Sequence, residues 1–592
     1  MIGKKPALNK IGIRSEQKHW ESRVTISPDD VKRLPADLPL FIQNDGERHL
    51  PFKSRVFHPE EYLEASQSGG AKVAFTDSLH NCNIIVGTKE VKEVFQPLHE
   101  DELIFLEKYS PTLPTNIPNL VIDFGLKIAV LTNFLSDNEK DALKLWARET
   151  PIEQTILKLI EMQEQLILKD KLYLFFSHTH KGQEYNMRML CEFIKKKASL
   201  LDYELLNENV DGCRRRTVYY SNWAGTIGIL NALWTFSEHL FLRTGLTSPF
   251  RELKSPTCYD SQKCEYSSVA VLERKIQQIG EIIANDGLPF PLIIGVSGFR
   301  GQVGRFVTDV LEKWGLPHTS LEPEAIIGLN DQHSLSKKSI YVTKLDYQHL
   351  YRVRPGVNIE LQSIRQIIKS GKGNLLESNM DKYFPSLSIF LNCIVWNKEC
   401  PKLLTNSYLK NYYDCKALHK NPILPVIGDI TCDPNGSVEC CRDTYPNNPS
   451  YMWRPDKTDE PILWDADLKT FEADNEVFDL SKDGYAVMAV TNLPCEIPRE
   501  ASLLFSRNFC KKRPHLGDKS YLECLAEADL SQNLEQTGLP DDIKNALIVY
   551  KGKFNLSNRH LLLKDICLSM IEQDIIDTKA VLSDFTNKMN DV

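Results

Sequence analysis

Short apolar runs alternate with helix-forming stretches along most of the chain. Five runs have the length and apolar content of buried strands: residues 83–87, 171–176, 291–297, 424–428 and 485–490. Apolar residues at helical spacing predict helices over residues 224–242 and 267–285, with small residues at the start of the first allowing close packing. Alternation of buried strands and helices predicts an α/β fold.

Residues 291–306 combine a predicted strand, a glycine-rich turn and the start of a helix expected at about residues 305–314. Four glycines recur at every third position: Gly295, Gly298, Gly301 and Gly304. Such a turn lets backbone amides approach a pyrophosphate, and the helix N-terminus favours negative charge there. Because Ser297 stands where a strict dinucleotide-binding fingerprint beginning at Gly295 has glycine, an ordinary glycine-rich turn remains the alternative.

Two acidic residues follow later strands of the same region. Glu322 ends the next predicted strand, residues 318–322, about where an acidic residue of a dinucleotide-binding fold meets the adenosine ribose. Asp433 follows the strand that ends near Asp429. Glu322 is therefore a candidate for contact with a bound dinucleotide.

Charged and titratable residues also follow the strands of the first half of the chain. Lys89 and Glu90 lie just past the strand at residues 84–86, where open α/β sheets bind ligands, although a lysine in a solvated loop is the alternative. His178 and His180 follow the strand at residues 171–176. A single imidazole at this position suits proton transfer near neutral pH. A metal site would need a third ligand beside the two histidines, so no metal is predicted. A purely structural role for these histidines is the remaining alternative.

Glu204 ends another strand, and three consecutive arginines, residues 214–216, follow it. Consecutive arginines are typical of a solvated turn. They could equally hold a dicarboxylate, because guanidinium groups match carboxylates bidentately.

Size and composition narrow the classes of function. A chain of 592 residues predicts two or three domains, and a formal charge of −8 with 25% charged residues gives no bias toward nucleic acid or anionic membranes. The longest apolar runs are shorter than the roughly 20 residues of a membrane span. Fifteen scattered cysteines without a C-x-x-C pair favour reduced thiols inside the cell. With only ten residues before the first predicted strand, we expect the cytoplasm rather than mitochondria.

Several motifs together resemble lysine–ketoglutarate reductases, the family that includes that domain of aminoadipic semialdehyde synthase and the fungal lysine-forming saccharopine dehydrogenases. The motifs occur in the family's order: Arg14-Ser-Glu16, Glu21-Ser-Arg23, Val86-Gly-Thr-Lys89, Phe175-Phe-Ser-His178 with Gln183 and Asn186, Asp202-Tyr-Glu204, Trp223-Ala-Gly225 and Pro498-Arg-Glu-Ala501. The wider family includes alanine dehydrogenase and the soluble part of transhydrogenase. The resemblance covers most of residues 11–94, 168–320 and 385–510.

The resemblance implies two Rossmann-like domains separated by a cleft, with a substrate domain formed by both chain ends. On this reading residues 1–222 and 491–592 form the substrate domain and residues 223–490 the dinucleotide-binding domain. Residues 95–167 are an insertion that the family pattern lacks. The alternatives for its role are a lid over the site, an obstruction of the site and a subunit contact in a homo-oligomer.

The resemblance also implies roles for individual residues. Lys89 matches the family's catalytic base and His178 its general acid. Asp433 matches an aspartate near the nicotinamide. Residues that match those around the bound substrates are Arg23, Glu90, Glu204, Arg216 and Tyr220, the last replacing a phenylalanine of the fungal enzymes.

The implied reaction joins the ε-amine of L-lysine to the keto carbon of 2-oxoglutarate and reduces the imine to saccharopine. NADPH is the expected cofactor because a Glu-Pro pair like Glu322-Pro323 occurs in reductases that use it. NADH is the alternative, because an acidic Glu322 would accept a ribose hydroxyl and repel a 2′-phosphate.

Two other functions stay open. The first is the NAD-linked reverse reaction, which releases lysine from saccharopine. The second is a catalytically silent relative that binds a nucleotide or a partner, suggested by the insertion and by Thr491, which stands where the family usually has an aspartate before Asn-Leu-Pro.

Overall fold

The structure is a computed structural model. It describes residues 7–16, 21–44, 55–91, 95–97, 120–123, 128–131, 167–180, 186–210, 213–253, 268–327, 329, 334–357, 362–415, 419, 423–433, 436–446, 448–455, 462–463, 470–473, 476–479 and 484–555. The chain divides into two compact units, Met1–Tyr219 with Ser502–Val592 and Tyr220–Ala501.

The described strands, in chain order, are β1 (Ile11–Ile13), β2 (Pro39–Gln43), β3 (Lys72–Thr76), β4 (Ile84–Lys89), β5 (Phe95–Pro97), β6 (Leu120–Asp123), β7 (Ile128–Leu131), β8 (Leu172–Phe176), β9 (Ser199–Asp202), β10 (Asn207–Val210), β11 (Cys213–Arg216), β12 (Leu292–Ser297), β13 (His318–Leu321), β14 (Ile340–Leu345), β15 (Tyr351–Val353), β16 (Leu376–Ser378), β17 (Ile389–Asn392), β18 (Val426–Asp429), β19 (Ser450–Trp453), β20 (Ile462–Leu463), β21 (Thr470–Ala473), β22 (Glu476–Asp479), β23 (Tyr485–Met488), β24 (Leu547–Tyr550) and β25 (Lys553–Phe554). The described α-helices are Pro28–Val31, Pro59–Gln67, Met187–Lys195, Ser221–Thr244, Val269–Asp286, Gln302–Lys313, Pro323–Ile326, Tyr347–Leu350, Ile364–Lys369, Asn406–Asp414, Pro498–Cys510, Tyr521–Glu527 and Asp541–Ala546.

The first unit is built on a sheet of eight strands in the order β25-β24-β9-β8-β4-β1-β2-β3. The six strands from the N-terminal part run parallel, whereas β24 joins β9 antiparallel. Both chain ends therefore contribute to this sheet. Its central strands β4 and β8 are buried along their whole length, which is why they read as continuous apolar runs.

Part of the predicted insertion at residues 95–167 is described. Its strands form a separate antiparallel sheet in the order β5-β7-β6. Most of its other residues lie outside the described part of the chain.

The second unit has its own eight-stranded sheet, in the order β13-β14-β12-β17-β18-β23-β19-β20. Its first six strands in this order are parallel. β14 lies between β12 and β13 in the sheet. β13 therefore follows β12 along the chain but is not its neighbour in space. With parallel sheets covered by helices in both units, the predicted α/β class is confirmed.

The helix Ser221–Thr244 packs closely against its neighbours in the second unit. A Cβ atom at Gly225 would contact the carbonyl oxygen of Val303, and one at Gly228 would lie 2.7 Å from the side chain of Ile430. The prediction that small residues allow close packing here is confirmed. The helix ends at Gly245, whose φ of 74° suits glycine.

The helix after the glycine turn begins at Gln302, one turn earlier than the predicted residue 305, because Gly301 adopts an extended conformation and caps it. None of the helices among the described residues has both the length and the apolar content needed to cross a membrane.

Candidate active site

Four neighbouring parallel strands of the first unit end at the same edge of the sheet. In spatial order they are β9, β8, β4 and β1, and each is followed or terminated by charged or titratable side chains. We define the carboxyl-edge cluster as Lys89, Glu90, His178, Asp202 and Glu204. The charges of the other four members all act on His178, so the fold brings these side chains into one electrostatic neighbourhood.

Lys89 is held through its backbone at the end of β4. Its N–H donates to Oε2 of Glu16 at 3.1 Å, and the N–H of Thr88 donates to Oε1 at 2.6 Å. Arg14 donates to the carbonyl oxygen of Lys89 and pairs with Glu16 at 3.2 Å. The segment after β1 therefore fixes the end of β4, with the Lys89 side chain almost fully buried.

The position of Arg14 depends on Gly87. A Cβ atom at residue 87 would contact Nε of Arg14 and lie 3.0 Å from its Cδ and Cζ. Burial raises the pKa of Glu16, the negative charge of Glu21 raises it further, and Arg14 with the two backbone N–H groups opposes both effects. Neither Glu16 nor Arg14 was predicted as a site residue, although both belong to a motif that directly follows an apolar run.

Arg23 is buried beside this network in a bidentate pair with Glu21. Its Nε and Nη2 donate to the two carboxylate oxygens at 2.7 and 2.5 Å. Its carbonyl oxygen accepts a hydrogen bond from Oγ1 of Thr88 at 3.5 Å, so Arg23 lies next to the end of β4. A substrate carboxylate that binds Arg23 would share it with Glu21.

His178 follows β8 in an uncommon backbone conformation. Its φ is 54°, in the left-handed region that histidine enters more readily than most residues. Burial lowers the pKa of His178 and the charge of Lys89 lowers it further, while Glu90, Glu204 and Asp202 act in the opposite direction. The imidazole is thus held mainly neutral near neutral pH.

Asp202 anchors the segment that carries His178. Its Oδ2 accepts hydrogen bonds from Oγ of Ser177 at 2.5 Å and from the Ser177 N–H at 3.2 Å, and its Oδ1 accepts from the Glu204 N–H at 2.8 Å. Asn186 donates to the carbonyl oxygen of Ser177 at 2.8 Å. Burial alone would raise the pKa of Asp202, but His180, Ser177 and the Glu204 N–H together lower it.

His180 and Arg216 both contact Glu204. Nε2 of His180 lies 3.2 Å from one carboxylate oxygen and Nη2 of Arg216 lies 3.3 Å from the other. Nδ1 of His180 is 3.7 Å from Asp202. Among the residues that the structure describes, no group of three His, Cys, Asp or Glu side chains is arranged to hold a metal ion.

The predicted cofactor-binding turn is contained within the second unit. Gly295 lies inside β12, and Gly298 turns the chain with a φ of 61°. Oγ of Ser297 donates to the carbonyl oxygen of Leu391 at 3.1 Å and accepts from the Cys393 N–H at 3.0 Å, so it ties β12 to the end of β17. This explains why serine suits a position where the fingerprint has glycine.

Gly304 allows the helix to approach the turn. A Cβ atom there would contact the carbonyl oxygen of Gly298 and lie 2.7 Å from the Gly298 carbonyl carbon and from Cα of Phe299. These are backbone atoms, which cannot rotate away as a side chain could. The turn and the first helical residues form one close-packed backbone unit.

We expect Gly304→Ala to lower the free energy of unfolding of the second unit by about 2 kcal/mol, because overpacking outweighs the gain of about 1 kcal/mol in helix propensity. Urea titration followed by tryptophan fluorescence measures this. Gly301→Ala is the matched variant, because its Cβ would lie 3.1 Å from the same carbonyl oxygen and the loss should be smaller. Equal losses in the two variants would contradict the packing argument.

The other predicted site residues lie elsewhere. Glu322 is exposed and follows β13, one strand further from the glycine turn than the order of a Rossmann sheet would place it. Asp433 follows β18, where its carbonyl oxygen accepts a hydrogen bond from the Gly436 N–H at 2.8 Å. Tyr220 belongs to the second unit and directly precedes the helix Ser221–Thr244. Their roles stay predictions.

Comparison with known proteins adds to this geometry. The chain is 27% identical to α-aminoadipic semialdehyde synthase of Arabidopsis thaliana over 417 residues, which are 67% of this chain and 34% of that protein. It is 25% identical to the mitochondrial α-aminoadipic semialdehyde synthase of Bos taurus over 484 residues, 78% of this chain and 47% of that protein. A solved L-alanine dehydrogenase has 13% identity and a TM-score of 0.43, with 94% of this chain and 99% of that one covered.

No protein-family model matches the chain. The chain spans about a third to a half of the length of the curated relatives it matches. The resemblance that the motifs indicated is confirmed: the chain is similar to α-aminoadipic semialdehyde synthases over two thirds or more of its own length.

Proposed function

We propose that the protein is an oxidoreductase of lysine metabolism that condenses L-lysine with 2-oxoglutarate and reduces the resulting imine to saccharopine. The observation that carries this proposal is the pairing of β4 with β8, which sets Lys89 and His178 at the ends of neighbouring parallel strands. The named relatives support the assignment to lysine metabolism.

The chemistry requires a base and an acid in one place. The ε-ammonium of the substrate lysine must lose a proton before its nitrogen can attack the keto carbon, and the carbinolamine must then lose water. Lys89 takes the first role and His178 the second. A nicotinamide dinucleotide would supply the hydride that reduces the imine.

Lys89 and His178 suit these roles because the charge of Lys89 acts on the imidazole, whose pKa burial and Lys89 both lower. Lys89 becomes charged when it takes the proton of the substrate ammonium. A nearby positive charge makes a protonated imidazole a stronger acid, so protonated His178 then gives its proton readily to the departing hydroxyl, which leaves as water.

Substrate carboxylates need cationic partners, and Arg23 and Arg216 of the first unit are the candidates. Arg23 is bidentately paired with Glu21, and Arg216 lies beside Glu204 with 38% of its side chain exposed. Glu204 and Glu90 are the carboxylates suited to the ammonium groups of lysine. In this proposal the glycine turn from Gly298 to Gly304 binds the dinucleotide pyrophosphate, and Asp433 lies near the nicotinamide.

The assay follows dinucleotide oxidation by the purified chain, with L-lysine and 2-oxoglutarate supplied singly and together. We expect oxidation only when both substrates are present, because the imine forms from both, and mass spectrometry should identify saccharopine as the product. Turnover with one substrate alone would overturn the proposal. Absence of turnover with NADPH and NADH would favour the silent relative, and lysine release from saccharopine and NAD⁺ alone would favour the reverse reaction.

A further inference from the structure

The strand order of the second unit brings an acidic residue beside the glycine turn that the sequence alone did not indicate. β14 pairs with β12 in parallel, and Ser297 lies opposite Leu345. The residues that follow, Gly298 and Asp346, therefore leave the sheet side by side. Asp346, and not Glu322, comes at the end of the strand next to β12.

Asp346 is also bonded to the turn itself. Its Oδ2 lies 3.0 Å from Nη2 of Arg300, which is the second residue after Gly298. Its other oxygen, Oδ1, accepts a hydrogen bond from the Tyr347 N–H at 2.9 Å and caps the short helix Tyr347–Leu350. The cap fixes the carboxylate so that Oδ2 faces the glycine turn.

Glu322 has a different setting. It follows β13, which lies at the edge of the sheet and pairs with β14 alone among the described strands. The register pairs Leu321 with Thr343, so Glu322 leaves the sheet about two residues earlier than Asp346. Its side chain is exposed. The expectation of NADPH came from Glu322-Pro323, and this position weakens that reasoning.

We propose that Asp346 and Arg300 together recognise the adenosine ribose of the dinucleotide and make the protein prefer NADH to NADPH. This inference rests on the proposed cofactor-binding turn. A carboxylate beside the turn accepts a hydrogen bond from the ribose 2′-hydroxyl and repels a 2′-phosphate. Arg300 could bind a 2′-phosphate, but its charge is neutralised by Asp346, and breaking that pair would leave the carboxylate facing the phosphate.

Asp346→Asn separates the charge from the structural role, because asparagine also caps helices well. Isothermal titration calorimetry of the full chain with NADH and with NADPH, without lysine or 2-oxoglutarate, measures the two dissociation constants. We expect the unaltered chain to bind NADH about tenfold more tightly, and Asp346→Asn to remove this preference by strengthening NADPH binding about tenfold. Asp346→Ser, which also keeps a capping side chain, should act in the same direction.

Arg300 is tested in the Asp346→Asn background. Adding Arg300→Gln should abolish the gain in NADPH affinity, because the freed guanidinium is what binds the 2′-phosphate. Asp286→Asn is the matched control: it removes one negative charge from an exposed position of the same unit and should leave the ratio of dissociation constants unchanged.

An unchanged ratio in both Asp346 variants would overturn the inference while leaving the proposed function standing. If the ratio of the two dissociation constants shifts in Glu322→Gln and not in the Asp346 variants, the residue that recognises the ribose follows the edge strand β13. That result would also overturn the inference. Binding of neither dinucleotide would overturn the cofactor site itself. Since the measurement needs no turnover, failure of the proposed reaction would not affect it.

Discussion

Lys89→Met and His178→Gln should each lower kcat about 10²- to 10⁴-fold, the range that positioned acid and base groups contribute. Neither change should alter dinucleotide affinity, because the glycine turn belongs to the other unit of the chain. Stopped-flow oxidation of the reduced dinucleotide gives kcat, and calorimetry gives the affinity. In Lys89→Met the pKa of His178 should also rise, since the charge that helps to lower it is gone, and a kcat–pH profile of the residual activity measures this shift.

Two matched variants control for loss of a charge or an imidazole in the same unit. Lys72→Met removes an exposed lysine from β3, and His80→Gln removes an exposed histidine from the loop before β4. Both should keep the kcat of the unaltered chain. If Lys89→Met and His178→Gln also keep it, the carboxyl-edge cluster is not the catalytic site, whichever reaction the protein performs.

Acid should destabilise the second unit through His239, which is buried in the helix Ser221–Thr244. Burial and the charge of Arg243 lower the pKa of His239 to about 3. Between the ordinary pKa of about 6.5 and the lowered pKa, His239 is protonated in the unfolded chain but not in the folded chain. The free energy of unfolding therefore falls as the pH falls from 6.5 toward 3. At pH 4.5 this effect lowers the free energy of unfolding by about 2–3 kcal/mol relative to pH 7. His239→Leu should remove this contribution to the acid sensitivity.

Urea titration at the two pH values measures the difference. Nε2 of His239 has no hydrogen-bond partner among the described residues, so leucine leaves no partner unsatisfied at that atom. His318→Leu, at an exposed position of the same unit, is the control and should retain the full acid sensitivity. If His239→Leu loses as much free energy of unfolding between pH 7 and pH 4.5 as the unaltered chain, groups other than His239 cause the acid sensitivity.

The sequence predicted the candidate site in part. Lys89 and His178 could be found because each follows an apolar run, and the end of a strand is a local feature of the pattern. Their supports could not be found in this way: Glu16 binds the backbone of Lys89 across a gap of 73 residues, and Asp202 binds Ser177 across 25. Glu21 was part of a recognised motif, yet its bidentate pair with Arg23 appears only in the structure.

The glycine turn shows the same division. Its strand, its glycines and the following helix were predicted, although the helix begins at Gln302 instead of about residue 305 and ends at Lys313 instead of about residue 314. The acidic residue beside the turn was not predicted, because no strand was predicted at residues 340–345 and the sheet places β14 between β12 and β13. Chain order suggested Glu322, whereas spatial order indicates Asp346.

By itself, the sequence determined the α/β class, several of the buried strands and helices, the charged residues at the ends of those strands and the similarity to the α-aminoadipic semialdehyde synthases. These follow from local periodicity and from motifs that are read in order along the chain. Only the tertiary structure decided which strand ends are neighbours, which carboxylates hold Lys89 and His178, and which acid faces the glycine turn. The physical reason is that strand pairing in a parallel sheet joins residues far apart in sequence, and the local pattern of one strand does not specify its neighbour.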